Sequence, residues 1–202
     1  MKKILTLAAA VLLAGGTGAA LAQADQSAQA LATGVCSSCH GPEGHSISPV
    51  FPNLAGQQSA YIVLQLDAFR GHLRGDPNAQ AYMWGMASQL SDATIKGLAD
   101  YYAAQKPAAG KPGAPVLMAE GRKIFEQGIP SKKVQACAAC HGASAEGVQV
   151  FPRLAGQHVE YLIAQLEGFK TGTRGNAPIM INEVRDMTAA ELRAVATYAA
   201  SK

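Results

Sequence analysis

The sequence predicts an all-α protein made of two tandem copies of one small domain, joined by a Pro/Gly linker. Three observations predict it. A series of segments in the first half returns in order in the second half, the apolar residues follow the 3.6-residue period of helices, and a proline- and glycine-rich stretch separates the copies.

The duplication runs through the chain. Cys36-Ser37-Ser38-Cys39-His40-Gly41 returns as Cys137-Ala138-Ala139-Cys140-His141-Gly142, and Phe51-Pro52-Asn53-Leu54-Ala55-Gly56-Gln57 as Phe151-Pro152-Arg153-Leu154-Ala155-Gly156-Gln157. Tyr61, Gln65, Leu66, Phe69 and Arg74-Gly75 return as Tyr161, Gln165, Leu166, Phe169 and Arg174-Gly175. The offset moves from 101 at the cysteines to 100 afterwards, a single loop deletion. The resulting division is 1–22 as a cleaved signal, 23–105 as the first domain, 106–115 as linker and 116–202 as the second domain. Pro107, Pro112, Pro115, Gly110 and Gly113 exclude a continuous helix through the linker, which reads as semi-rigid.

The N-terminus reads as an address. Lys2 and Lys3 precede the apolar run from Ile4 to Ala14, and Ala20-Leu21-Ala22 supplies a small-x-small cleavage site, with Ala22-Gln23-Ala24 as a second candidate. The run is too short for a spanning helix, which needs about 20 apolar residues. Export by a signal peptide is therefore expected.

Within each copy the helices follow from spacing. Ile62, Leu66 and Phe69 lie on one face of a helix over Ser59 to Phe69, and Leu162, Leu166 and Phe169 repeat that face. Ser91 to Ala104 presents Ile95, Leu98 and Tyr102. Its counterpart, Thr188 to Ala200, opens on Thr188-Ala189-Ala190-Glu191, a capping box. A helix precedes each cysteine pair, over Gln26 to Thr33 and Val116 to Gln127. No strand pattern is present, and so few helices leave a thin core that something else must fill.

Composition excludes other classes. Charged residues are only 15% and the formal net charge is +3, so neither a disordered polyelectrolyte nor a nucleic-acid binder held by bulk charge fits. From Asp25 to Ala109 there are four basic and six acidic residues, and from Gly110 to Lys202 eleven and eight. Arg122, Lys123, Lys132 and Lys133 supply much of the second excess, either as ordinary surface or as a mild patch that orients a partner.

C-x-x-C-H is the attachment signature of c-type haem. Cys36 with Cys39, and Cys137 with Cys140, can each form thioethers to one porphyrin, and His40 and His141 then fall beneath the iron as axial ligands. A shared zinc site does not explain why each pair has its own histidine. A thioredoxin-type redox pair wants a β-α-β setting, and a disulfide between residues three apart explains neither histidine. Two covalent haems are expected.

The repeat also ranks the second ligand. With Ser91 aligned on Thr188, Met83 falls on Met180, whereas Met86 falls on Glu183 and Met187 on Leu90. Met83 and Met180 are the distal candidates, each on a loop before a helix cap, with core filling as the ordinary alternative for a methionine. His45, His72 and His158 have no histidine counterpart and read as solvated. A carbonyl near Phe51-Pro52 or Phe151-Pro152 is placed to hold the axial imidazole, unless these are plain proline turns. Phe51, Leu54, Tyr61 and Leu98, with Phe151, Leu154, Tyr161 and Val195, are expected pocket walls. Trp84 reads as local packing, and Arg74 and Arg174 as exposed arginines, with haem propionates the other role open to them.

On these motifs the whole mature chain resembles the bacterial di-haem cytochrome c4 family. The resemblance implies two class I cytochrome c domains related by pseudo-twofold symmetry. It implies ligation by His40 and Met83 and by His141 and Met180, with the carbonyls of Pro52 and Pro152 on the proximal imidazoles. It further implies a periplasmic electron carrier, loosely associated with the inner membrane, that exchanges electrons transiently with a cytochrome bc complex and a terminal oxidase. A monomer with no nucleic-acid partner and no catalytic residues is expected. The rival readings are the haem subunit of a sulfur-compound dehydrogenase and a di-haem peroxidase, the latter requiring one open iron.

Overall fold

The computed structural model describes residues 27–202, so the segment read as a signal, with both cleavage candidates, lies outside the described residues. Among the described residues no strand forms; the extended pairings are two isolated bridges, Ile129 with Val134 and Val148 with Phe151. No described helix is long and apolar enough to cross a membrane.

The first copy holds α1 (27–40), α2 (Ser59–Arg70), α3 (77–87) and α4 (Asp92–Ala103). The second holds α5 (Pro115–Gln127), α6 (Ala138–His141), α7 (Val159–Thr171), α8 (Pro178–Val184) and α9 (Ala189–Ala200). Local chemistry sets these ends. Ser91 Oγ accepts from Thr94 N at the start of α4, and Thr188 with Glu191 forms the full capping box of α9. Pro115 opens α5, where its missing N–H is harmless.

The structure departs from the sequence reading on either side of the cysteines and methionines. In the first copy the helix before the cysteines does not stop near Thr33. It continues through a wide π-type turn, Ala32–Cys36, into Ser37–His40. Met83 and Met180 lie in helices, not loops. α3 buries Ala79 and Ala87, α8 opens on Pro178 and buries Val184, and that small apolar face is enough to wind each segment.

α5 and α9 cross at Gly121, where a Cβ would run into the Ala194 main chain. Around that crossing Ile124, Phe125, Leu192 and Val195 form the larger core. The first copy has two smaller clusters, Ile62, Leu98 and Tyr102 with α1, and Phe69, Ala79 and Ala87. Burial of this kind is worth roughly 1.5–3 kcal/mol per large side chain, so two thin cores need help from each other and from whatever fills the space between helices.

The copies pack face to face about a pseudo-twofold axis. Gln57 accepts from Arg153 N (2.7 Å) and donates to Arg153 O (3.0 Å), while Gln157 accepts from Asn53 N and donates to Asn53 O, both at 2.9 Å. The same patch of each copy meets its equivalent, as in an isologous dimer. The linker runs along the repeated turns: Gly56 (φ +66°) abuts Pro107 and Gly156 (φ +72°) abuts Ala108, and a side chain at either would collide.

Candidate functional site

A mainly apolar cavity of about 720 Å³ runs through both domains. The first copy lines it with His40, Phe51, Leu54, Tyr61, Met83 and Leu98, and the second with His141, Phe151, Leu154, Tyr161, Met180 and Val195, so every expected wall residue reaches it.

Each C-x-x-C-H sits on one turn of helix, which puts the first cysteine and the histidine, four residues apart, on the same side. Cys36, Cys137 and Cys140 line the cavity, and Cys39 is exposed. All four are free of disulfides. Burial pushes the Cys137 thiol up to about 11 and raises Cys36 as well, so both are neutral thiols before any attachment.

Each histidine is held by a backbone carbonyl. His40 Nδ1 donates to Pro52 O at 2.9 Å and His141 Nδ1 to Pro152 O at 3.0 Å. That bond selects the tautomer with Nε2 bare and turned away from the loop. Burial lowers both imidazole pKa values, and the carbonyl bond only partly offsets it, so both rings are neutral at pH 7. Phe51 and Phe151 stand edge-on to the rings at 6.2 and 6.4 Å and limit their rotation.

The methionines separate cleanly. Met83 and Met180 are half-buried on the cavity wall, while Met86 is 56% exposed and outside it. Met187 also touches the cavity but is 2% exposed and packed in the second core.

Several surface readings are overturned. Arg74 and Arg174 are each 4% exposed, because the other copy covers them. Arg74 donates to Gln65, Tyr161, Gln165 and Asp76, and Arg174 to Gln165, Tyr61 and Gln65. His158 is no solvated histidine; its Nε2 meets Ser46 O of the first copy at 3.0 Å. His72, by contrast, is exposed as expected, and it stacks on Trp84 at 4.1 Å. Lys132 is tied to Glu191 at 2.7 Å, which leaves the exposed Lys133 as the free charge of that pair. The sequence did carry a signal for the arginine network: Tyr61, Gln65 and Arg74 recur together as Tyr161, Gln165 and Arg174. Nothing local says that each set binds its copy.

The residues fit a haem in each domain. Each half of the cavity offers one bare imidazole nitrogen and one thioether, the donor pair of an electron-transfer haem. Arg153 Nε, Arg174 Nε and Asn176 Oδ1 are buried on its lining without a protein partner, which leaves two cationic side chains with a donor to spare for an anionic group such as a propionate.

The cytochrome c family profile matches the chain twice, over residues 26–105 and 118–201. The chain belongs to the cytochrome c family, in its di-haem c4 branch. Cytochrome c-552 of Acidithiobacillus ferridurans is 40% identical over 99% of this chain and 87% of that protein. The solved cytochrome c4 of Acidithiobacillus ferrooxidans superposes with a TM-score of 0.77 at 41% identity, covering 83% of this chain and 98% of that one. A thiosulfate dehydrogenase electron acceptor of Thiomonas intermedia (strain K12) is 38% identical over 83% of this chain and 78% of that protein. Membership supplies the cofactor: this cytochrome binds two haems c covalently, one per domain, and acts as an electron carrier, not an enzyme.

Proposed function

We propose that this cytochrome carries single electrons in the periplasm, from a cytochrome bc complex towards a terminal oxidase, docking transiently with each. One observation carries the reading: a methionine stands on the cavity wall of each domain along with a buried, carbonyl-held histidine, so neither centre is left open to a substrate. In this reading Cys36, Cys39, Cys137 and Cys140 form the thioethers, His40 and His141 are the proximal ligands, and Met83 and Met180 the distal ones. The haem iron supplies the one-electron couple. The chain keeps the coordination unchanged between oxidation states: Pro52 and Pro152 hold the imidazoles, and the apolar walls keep water out. The signal read at 1–22 supports export.

The likeness to a thiosulfate dehydrogenase electron acceptor favours a second donor. There the carrier chemistry is identical and the electron arrives from a sulfur-compound dehydrogenase. The open-iron peroxidase reading has less support, since a methionine lines each half of the cavity.

A potentiometric titration with optical spectra tests the proposal. Two one-electron steps are expected, with the iron–sulfur charge-transfer band present for both oxidised haems and no peroxide turnover. A high-spin haem or peroxide consumption would reverse it. Reduction rates measured with a bc complex, and with a thiosulfate dehydrogenase plus thiosulfate, separate the two donors.

A further inference from the structure

The two copies differ in how the segment carrying the distal methionine is fastened. Trp84 follows Met83, and its ring is held on two sides. Nε1 donates to the Arg74 main-chain carbonyl at 2.8 Å, and its face lies on His72 at 4.1 Å with an interplanar angle of 12°. His72 takes φ +56° to reach that position, a conformation unusual for a residue with a Cβ. Its counterpart is Gly172 and the counterpart of Trp84 is Ile181, which has no side-chain N–H to give.

Arg74 is itself held on several sides. Its guanidinium bonds to Asp76 at 2.7 Å and Gln65 at 3.0 Å in its own domain, and to Gln165 at 2.6 Å and Tyr161 Oη at 3.2 Å in the other. Its face covers Phe69 at 4.7 Å. One residue thus receives the indole on its main chain and holds the second domain with its side chain.

We infer that Trp84 is a positioning residue for Met83, and that through Arg74 it makes the distal side of the first centre depend on the domain interface, a dependence the second centre lacks. This rests on Met83 being the distal ligand of the first haem. Movement of Tyr161 or Gln165 relative to the first domain shifts the Arg74 backbone, and the indole carries that shift to Met83. On the second side Ile181 leaves Met180 to its own helix and core.

The experiment uses the holoprotein and four variants, three single and one double. Trp84→Phe keeps a ring against His72 and removes the N–H, and Tyr161→Phe removes one interface acceptor of Arg74. Imidazole titration of the oxidised protein reads how readily each methionine is displaced, and the axial-methionine methyl resonances of the reduced protein assign the haems. Losing one part-buried hydrogen bond predicts that Trp84→Phe raises imidazole affinity at the first haem about three- to tenfold and leaves the second unchanged. Tyr161→Phe should move the same haem by less, with no further change when combined with Trp84→Phe. The inference is overturned if Trp84→Phe leaves the first haem as in wild type, if both haems shift alike, or if the two substitutions add. Met83→Ala separates the premise: if both methionine resonances survive it, the ligand reading falls and the inference with it. If one is lost while Trp84→Phe is silent, only the clamp falls.

Discussion

Arg74 and Gln165, 91 residues apart, are joined by a 2.6 Å hydrogen bond in the buried centre of the domain interface. Arg174 answers with a 3.0 Å bond to Gln65. The exchange is not quite symmetric. Arg74 also pairs with Asp76 at 2.7 Å, both side chains under a tenth exposed, whereas the second copy has Asn176 in place of Asp76.

That difference predicts unequal losses. Arg74→Leu strands a buried carboxylate and should cost about 3–5 kcal/mol. Arg174→Leu leaves no buried protein carboxylate unpaired, because its protein acceptors Gln165, Tyr61 and Gln65 are neutral, and should cost roughly 1–3 kcal/mol. Denaturant unfolding of the two holoproteins at one pH checks the order, and equal losses would mean that Asp76 is not a net burden when unpaired.

The glutamine exchange should make the domains unfold together. Gln157→Ala leaves Asn53 N and O without their 2.9 Å partners and should cost about 1–3 kcal/mol. Its clearer mark is lost coincidence between unfolding followed by far-UV circular dichroism and by the absorbance of each haem.

The methionines predict three distinct outcomes. Met83→Ala or Met180→Ala should abolish the iron–sulfur charge-transfer band at one haem. Met86→Ala, at an exposed position, should change stability by no more than about 0.5 kcal/mol and leave both bands. Met187→Ala should leave both bands yet cost roughly 2–5 kcal/mol, because it empties a site that is 2% exposed. Optical spectra and thermal unfolding of the same samples distinguish them.

The Lys132–Glu191 pair predicts a pH effect with a definite sign. Burial alone would raise the Glu191 pKa, but Lys132 and the Thr188 cap outweigh it, so the carboxyl lies below its ordinary value of about 4.3. Its stabilisation is complete above that ordinary value and is lost as pH falls through the lower folded one. Lys132→Met should therefore cost about 1 kcal/mol at neutral pH and begin acid unfolding at higher pH than wild type. An unchanged acid transition would show the pair to be energetically idle.

Helix positions, the duplication and the cysteine–histidine motifs were legible because each is encoded locally. A capping box needs only Thr188 and Glu191, and C-x-x-C-H needs only one turn of helix. That Met83 and Met180 reach the cavity wall was legible for another reason: the chain contains two copies, and only these methionines fall at the same place in both. Their secondary structure was not legible, because α3 and α8 are short and are wound by the surfaces they cover.

By itself, then, the sequence determined the two cysteine–histidine turns and most of the residues that line the cavity, since these are set by spacing along one stretch of chain. Tertiary structure alone decided the fate of the polar residues between the copies. Arg74, Arg174 and His158 look like surface residues in one dimension, and Lys132 like a free charge. Their distant partners lie between 59 and 113 residues away, and no local pattern records those. A guanidinium that would be solvated on a lone domain is instead buried and hydrogen-bonded once the second copy lies over it, because desolvating a charge requires partners, several of which the docked domain supplies.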